Sequence, residues 1–128
     1  MNAPQVAPVT RLIDQDRVDA YASAAHDPNP IHTDPDFAAT TEFGRPIAHG
    51  MLVLALVSEA MTAHFGLRWA ESGTLKVRWR APAVQPVTVT ASALPRSVAE
   101  GIATYDVRCE DAAGTVLLTG TASVRLDD

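Results

Sequence analysis

The chain has a single cysteine, Cys109, among 128 residues. That excludes an internal disulfide and leaves no companion for a cysteine-based metal knuckle, so Cys109 reads as a small buried hydrophobe on a strand. Long apolar runs are missing as well. Ser58 and Glu59 break the longest one before it reaches the roughly 18–20 residues that a membrane-spanning helix needs, and none is expected. The first residues, Met1-Asn2-Ala3-Pro4-Gln5, carry neither a basic start nor an apolar signal core, which predicts a cytoplasmic protein. Positive charge is scarce: 10 Lys and Arg face 15 Asp and Glu, for a net charge of −5. The overall field therefore opposes nucleic acid. Internal repeats and low-complexity tracts are absent too.

What is present is enough apolar material, 47% of residues, for one core in a chain too short for two ordinary domains. One domain over 1–128 is expected. After a proline-containing tail, Val9 to Ile13 reads as a short strand. Asp14 then N-caps a helix from Gln15 to Ala25, with Val18, Tyr21, Ala22 and Ala25 on one face. The run Asp27-Pro28-Asn29-Pro30 ends that helix, because each proline biases its predecessor away from α geometry. A rigid loop should begin at Asp27, with a short helix between Asp34 and Thr41. From Ile47 to about Phe65 the chain is rich in helix formers and apolar nearly all round, which predicts a long helix wrapped by other elements. The wrapper is four further strands, at Thr74–Ala81, Pro86–Ala93, Ile102–Glu110 and Thr115–Leu126. In the first of these, Leu75, Val77 and Trp79 alternate with Lys76, Arg78 and Arg80, giving a core face and a wet face. The expected class is α+β: five antiparallel strands curled around one central helix.

Two motifs carry the chemistry, Asp27-Pro28-Asn29-Pro30-Ile31-His32 and Pro46-Ile47-Ala48-His49-Gly50-Met51. A carboxylate and an imidazole can share a water and exchange general-acid and general-base roles, and the prolines between them restrict the geometry that holds the pair. Gly50 falls in the first turn of the long helix, where backbone N–H groups lack intrahelical partners and lie at the positive end of the dipole. Such a donor can hold a carbonyl oxygen as charge develops on it. The two motifs resemble those of the MaoC-like and (R)-specific enoyl-CoA hydratase family. The resemblance implies a hot-dog fold, usually paired into dimers, and hydration or dehydration of an acyl thioester carried by coenzyme A or an acyl carrier protein. It implies Asp27 and His32 as the acid/base pair and Gly50 as the oxyanion donor. It also implies Asn29 as a hydrogen-bonding residue of the loop and Ser58 as a serine lining the site. The likeness fails in one place: family members commonly have glycine before the catalytic aspartate, whereas this chain has His26. A titratable ring there is expected to alter the backbone approach to Asp27 and to tune its carboxylate if both side chains share a side.

His49 and Arg45 complete the expected substrate-binding set, His49 by contact or by steadying the loop, and Arg45 as a phosphate ligand. Lys76, Arg78 and Arg80 form a basic stripe suited to the phosphates of coenzyme A or to an acidic carrier protein. No metal or other cofactor is expected, since His26, Asp27, His32 and Asp34 lack a fixed ligand spacing. Two rival readings share the fold: a thioesterase, against which the Asp-x-Asn-Pro-x-His loop argues, and a non-catalytic subunit of a heterodimeric dehydratase, against which the presence of both acid/base residues argues. Exposed sheet edges predict a homodimer.

Overall fold

The computed structural model describes residues 2–126. Strand β1 (Val9–Ile13) leads into helix α1 (Gln15–Ala25), whose N-cap Asp14 accepts from the Arg17 N–H. Two one-turn helices follow, α2 (Pro30–Thr33) and α3 (Pro35–Ala38), then the long helix α4 (Gly50–Phe65) and a short α5 (Leu67–Ser72). Strands β2 (Thr74–Trp79), β3 (Val87–Ala99), β4 (Ile102–Asp111) and β5 (Val116–Arg125) complete one antiparallel sheet of order β1-β3-β4-β5-β2. Helix α4 lies across β1, β3 and β4. No helix among the described residues is long and apolar enough to cross a membrane.

The alternation read from the sequence builds the core. Val89, Ala91, Ala103, Tyr105, Cys109, Leu118, Ala122 and Val124 are essentially inaccessible and face Leu52, Val53, Leu56, Val57, Ala60 and Met61 of α4. These helix residues recur at three- and four-residue spacing, so one stripe of α4 is buried. The expectation that the helix is wrapped on every side needs correction. Met51 is 52% exposed and Leu54 and Ala55 are half-buried, so a single chain covers one flank and leaves the other open. The proline-containing tail is docked: Ala3 and Val6 are buried, and the Tyr105 hydroxyl donates to the Pro4 carbonyl at 2.7 Å.

Several boundaries differ from expectation for local reasons. Helix α4 starts at Gly50, because Ile47 bridges Val84 and the Ala48 N–H donates to the Ala83 carbonyl, binding residues 46–48 in extended form to residues 83–85. Strand β3 continues past Ala93 to Ala99, and a register shift between Pro95 and Ser97 accommodates the proline, which cannot donate to a regular ladder. Strand β2 stops at Trp79, which is 49% exposed and leaves the core face assigned to it. Ala25 is exposed, although Val18 and Ala22 of the same helical face are buried. The segment expected to be a loop from Asp27 coils into α2, whose N-cap Asn29 accepts from the Ile31 N–H, with Pro30 at the first helical position. Asp34 and Pro35 repeat the device at α3. Helix α5 escaped the sequence reading. It is pinned by buried Trp69, and a Cβ on Gly73 would stand 2.4 Å from that indole and from the Trp69 carbonyl.

Candidate active site

The Asp27 backbone is placed by the end of α1. His26 adopts the left-handed conformation (φ 56°, ψ 40°), its N–H reaching Ser23 O at 3.4 Å while the Asp27 N–H donates to Ala22 O at 2.9 Å. These are the paired bonds of a Schellman termination, which favours glycine at the left-handed residue. The departure seen in the sequence thus has a backbone meaning: His26 occupies a position where a Cβ is costly. Its ring lines a hollow with Asp19, Ala22, Ser23, Pro28 and Thr33, and among the described residues no hydrogen bond joins it to the Asp27 carboxylate.

One turn later α2 presents His32. The Nδ1 of His32 lies 2.8 Å from the Ile47 carbonyl oxygen. A carbonyl only accepts, so Nδ1 carries the proton and Nε2 of the neutral ring keeps a free lone pair. The Ile47 N–H in turn donates to the Ile31 carbonyl at 3.1 Å, so each motif clips the other. Two glutamines from distant segments, Gln15 and Gln85, donate to the His32 carbonyl at 2.9 and 3.3 Å. Gln85 is 3% exposed and Pro46 O accepts from its N–H. Sequence reasoning missed both. Gln85 had a weak signal, a polar residue between apolar Val84 and Pro86 at the start of a strand.

His49 sits between the two motifs. It is 2% exposed, and its Nε2–H donates to the Asp27 carbonyl at 3.0 Å, with the Asp27 carboxylate 3.9 Å away. Its ring stacks on His32 with centroids 3.8 Å apart and tilts against Tyr21 at 4.9 Å. One polar atom from each of Asp27, His32 and His49 lies within 4.8 Å of the others. That spacing suits one water shared between carboxylate and imidazole. The same three groups could offer two nitrogens and an oxygen to a metal, but one nitrogen of each ring is already committed to a backbone carbonyl.

Beside His32 opens a cleft of about 370 Å³. Val53, Leu117, Ala48 and Ala83, all nearly inaccessible, form its apolar floor, and Trp79, Arg80 and Pro82 form its rim. Gly50 lies in the wall at the first residue of α4. Its carbonyl accepts from Trp79 Nε1 at 3.1 Å, and among the described residues no backbone carbonyl accepts from its N–H. A helix N-terminus with a free N–H beside an apolar floor is a place for a carbonyl oxygen that gains charge.

The structure brings Asp27, His32, His49 and Gly50 together and leaves other expected site residues apart. Asn29 is the exception, since it hydrogen-bonds within the loop as expected, its side chain accepting from the Ile31 N–H to cap α2. Ser58, two turns along α4, accepts from the indole N–H of Trp69 at 2.8 Å and is not part of the cleft lining. Arg45 is exposed in the loop before Pro46. Of the basic stripe only Arg80 reaches the cleft, its Nε donating to Thr119 Oγ1 at 2.9 Å. Trp79 was assigned to the core and instead borders the cleft. Cys109 is buried on β4, its thiol pushed up to about 12 by desolvation, and takes no part in the site.

A curled five-stranded antiparallel sheet packed on one long helix, with a carboxylate and an oriented imidazole beside that helix's N-terminus, defines an α+β hot-dog protein equipped for acid/base chemistry. The MaoC-like domain model matches residues 1–113. The (R)-specific enoyl-CoA hydratase of Aeromonas caviae is 34% identical over 128 residues, spanning 95% of this chain and 92% of that protein. The solved (R)-hydratase of the same species, involved in PHA biosynthesis, superimposes with a TM-score of 0.86 at 32% identity, covering 96% of this chain and 95% of that one. The 3-hydroxyacyl-thioester dehydratase Z of Mycobacterium tuberculosis is 39% identical over 74 residues, 55% of this chain and 49% of that protein. The chain belongs to the MaoC-like domain family.

Proposed function

We propose that this chain is a single-domain hydro-lyase that reversibly adds water to the α,β double bond of an enoyl thioester, with Asp27 and His32 as its acid/base pair. The observation that carries the reading is the His32 ring, held through Nδ1 by the Ile47 carbonyl at the edge of an apolar cleft, with one polar atom of His32 and one of Asp27 within 4.8 Å of each other. In the hydration direction one of the two groups takes a proton from the shared water as its oxygen bonds to the β-carbon. The π electrons move to the α-carbon, which receives a proton from the pair. The thioester oxygen, negative in the transition state, accepts from the Gly50 N–H. Dehydration runs the same steps backwards, so no redox or metal chemistry is required. The names of the relatives support this substrate class, and they include both coenzyme-A and acyl-carrier-protein thioesters.

His49, expected either to touch substrate or to steady the loop, is 2% exposed, which favours the second, and it acts as a positioning residue for both members of the pair. We also infer a homodimer, supported by the unpaired outer edges of β1 and β2 and by the open flank of α4 at Met51. Sedimentation showing an active monomer at micromolar concentration would remove that part of the proposal.

The test of the activity is a steady-state assay with crotonyl-CoA in excess chelator, following loss of the conjugated absorbance. Hydration without thiol release supports the proposal. Release of free coenzyme A without loss of the double bond would make the protein a thioesterase, and no reaction with any enoyl thioester would favour a non-catalytic subunit.

A further inference from the structure

Resting on the hydro-lyase reading, we propose that Trp79 is a specificity-determining residue, its indole closing the cleft beside Gly50 and restricting the acyl group to short chains. Gly50 is where the indole comes closest to the chemistry. A Cβ built there would lie 2.8 Å from Trp79 Nε1 and 3.0 Å from Cε2, so the ring covers the face of Gly50 that the missing side chain leaves bare. The bond from Nε1 to the Gly50 carbonyl fixes the indole in that place. The ring therefore has one fixed polar contact, while about half of the residue remains open to solvent at the cleft rim. A large aromatic residue on the last position of a strand, half-exposed and tethered to the peptide that carries the oxyanion donor, is not explained by packing: the core-facing members of its strand are Leu75 and Val77.

The floor of the cleft sharpens the consequence. Val53, Leu117, Ala48 and Ala83 belong to the packed core, so an acyl chain cannot lengthen downward without displacing it. It must grow along the rim, where Trp79 stands. A short enoyl group fits between floor and indole. Each further pair of methylenes meets the ring or pushes it off its hydrogen bond to Gly50. Discrimination of this steric kind is worth on the order of 10- to 200-fold per methylene where a pocket is rigid. A half-exposed indole yields more easily, which favours the lower end.

The experiment compares kcat/KM for enoyl-CoA substrates of four, eight and twelve carbons in the wild type, Trp79→Ala, Trp79→Leu and Trp79→Phe. The expected result is a wild-type preference for four carbons. Trp79→Ala and Trp79→Leu raise the eight-to-four ratio by about 10-fold or more, and Trp79→Phe, which keeps a ring in place, largely retains the short-chain preference. A second readout needs no turnover. The chain has two tryptophans, Trp69 is buried, and Trp79 alone borders the cleft, so saturated butyryl-CoA should change the tryptophan emission of wild type but not of Trp79→Phe. A wild type that hydrates no enoyl thioester overturns the functional reading. An active wild type whose chain-length ratios are unchanged in folded, active Trp79→Ala and Trp79→Leu overturns the role of Trp79 alone. So does a uniform rise in KM at every length, which would put the indole against the carrier arm.

Discussion

The imidazoles of His49 and His32 stack face to face at 3.8 Å, and the same His49 ring donates from Nε2 to the Asp27 carbonyl at 3.0 Å. One buried side chain therefore touches the backbone of one proposed catalytic residue and the ring of the other. His49→Ala should lower kcat by roughly 10- to 100-fold with little change in KM, the scale expected when reacting groups are misplaced by about an ångström. His49→Gln, whose amide can still donate to the Asp27 carbonyl, should recover part of the loss. An equal loss in both variants accompanied by a lower melting temperature would reduce His49 to a packing residue.

Asp27→Asn and His32→Ala are each expected to cost on the order of 10² to 10⁴ in kcat with folding nearly intact, the usual range for general acid/base groups. Asp27 is about half-exposed and His32 is partly so, and thus neither is a core residue. On the proposed mechanism the pair acts through one water, and the double variant should then be hardly worse than the poorer single variant. Wild-type turnover in either single variant refutes the assignment.

At Gly50 bulk and hydrogen bonding can be separated. Gly50→Ala sets a methyl group against the Trp79 indole, which must swing out and release its bond to the Gly50 carbonyl. Its effect should shrink in the Gly50→Ala, Trp79→Ala double variant. Gly50→Pro additionally removes the N–H, a donor worth roughly 10²–10³ in rate at an oxyanion site. Proline is tolerated in the first helical turn, so the fold should survive. A folded Gly50→Pro protein with undiminished turnover would rule out the oxyanion role.

Folding places one ionisable thiol and one phenol in the core, which predicts alkaline sensitivity. Burial raises the Cys109 thiol from 9.0 to about 12 and raises the Tyr105 phenol above 10.0. Both groups are neutral when protonated, so the folded chain holds protons that the unfolded chain gives up. Their contribution to stability is complete below about pH 9 and declines as pH climbs towards 12. Urea midpoints measured between pH 8 and 11 should fall, less steeply in Cys109→Ala after allowance for its cavity. Thiol reagents should label Cys109 only as fast as the protein opens.

Strand periodicity and the two proline-flanked motifs made most of this architecture legible in the sequence, because period-two alternation and helix-breaking residues act locally. Asp27, His32 and Gly50 stood out because they lie in those two motifs, whose family resemblance suggested the roles proposed for them. What was hidden depended on distant partners. Trp79 alternates correctly with Leu75 and Val77, yet the strand ends beneath it and the residue turns to Gly50, 29 positions away. Gln85 is 53 positions from the His32 carbonyl that it meets. Ser58 could be placed on a helix, but its bond to Trp69 required α5, a six-residue helix without a periodic signature.

His26 joins local backbone physics to the site. A residue other than glycine in the left-handed region is strained by about 1–2 kcal/mol, although histidine visits that region more often than most. His26→Gly relieves the strain and gives back about 0.5–1 kcal/mol in unfolded-state entropy, for a net gain of about 0.5–1 kcal/mol. For a chain of this size that is a rise of roughly 2–4 °C in melting temperature. His26→Val, branched at Cβ, should lose stability by a larger amount. The Asp27 N–H bond to Ala22 O survives in the glycine variant, so the carboxylate keeps its position and turnover is retained. The ring faces the hollow bordered by Asp19 and Thr33, without a hydrogen bond to Asp27 among the described residues, and the pH profile of kcat/KM should superimpose on that of the wild type. A displaced acidic limb in His26→Gly would show instead that the histidine charge reaches Asp27, and a melting temperature unchanged or lower would remove the strain argument.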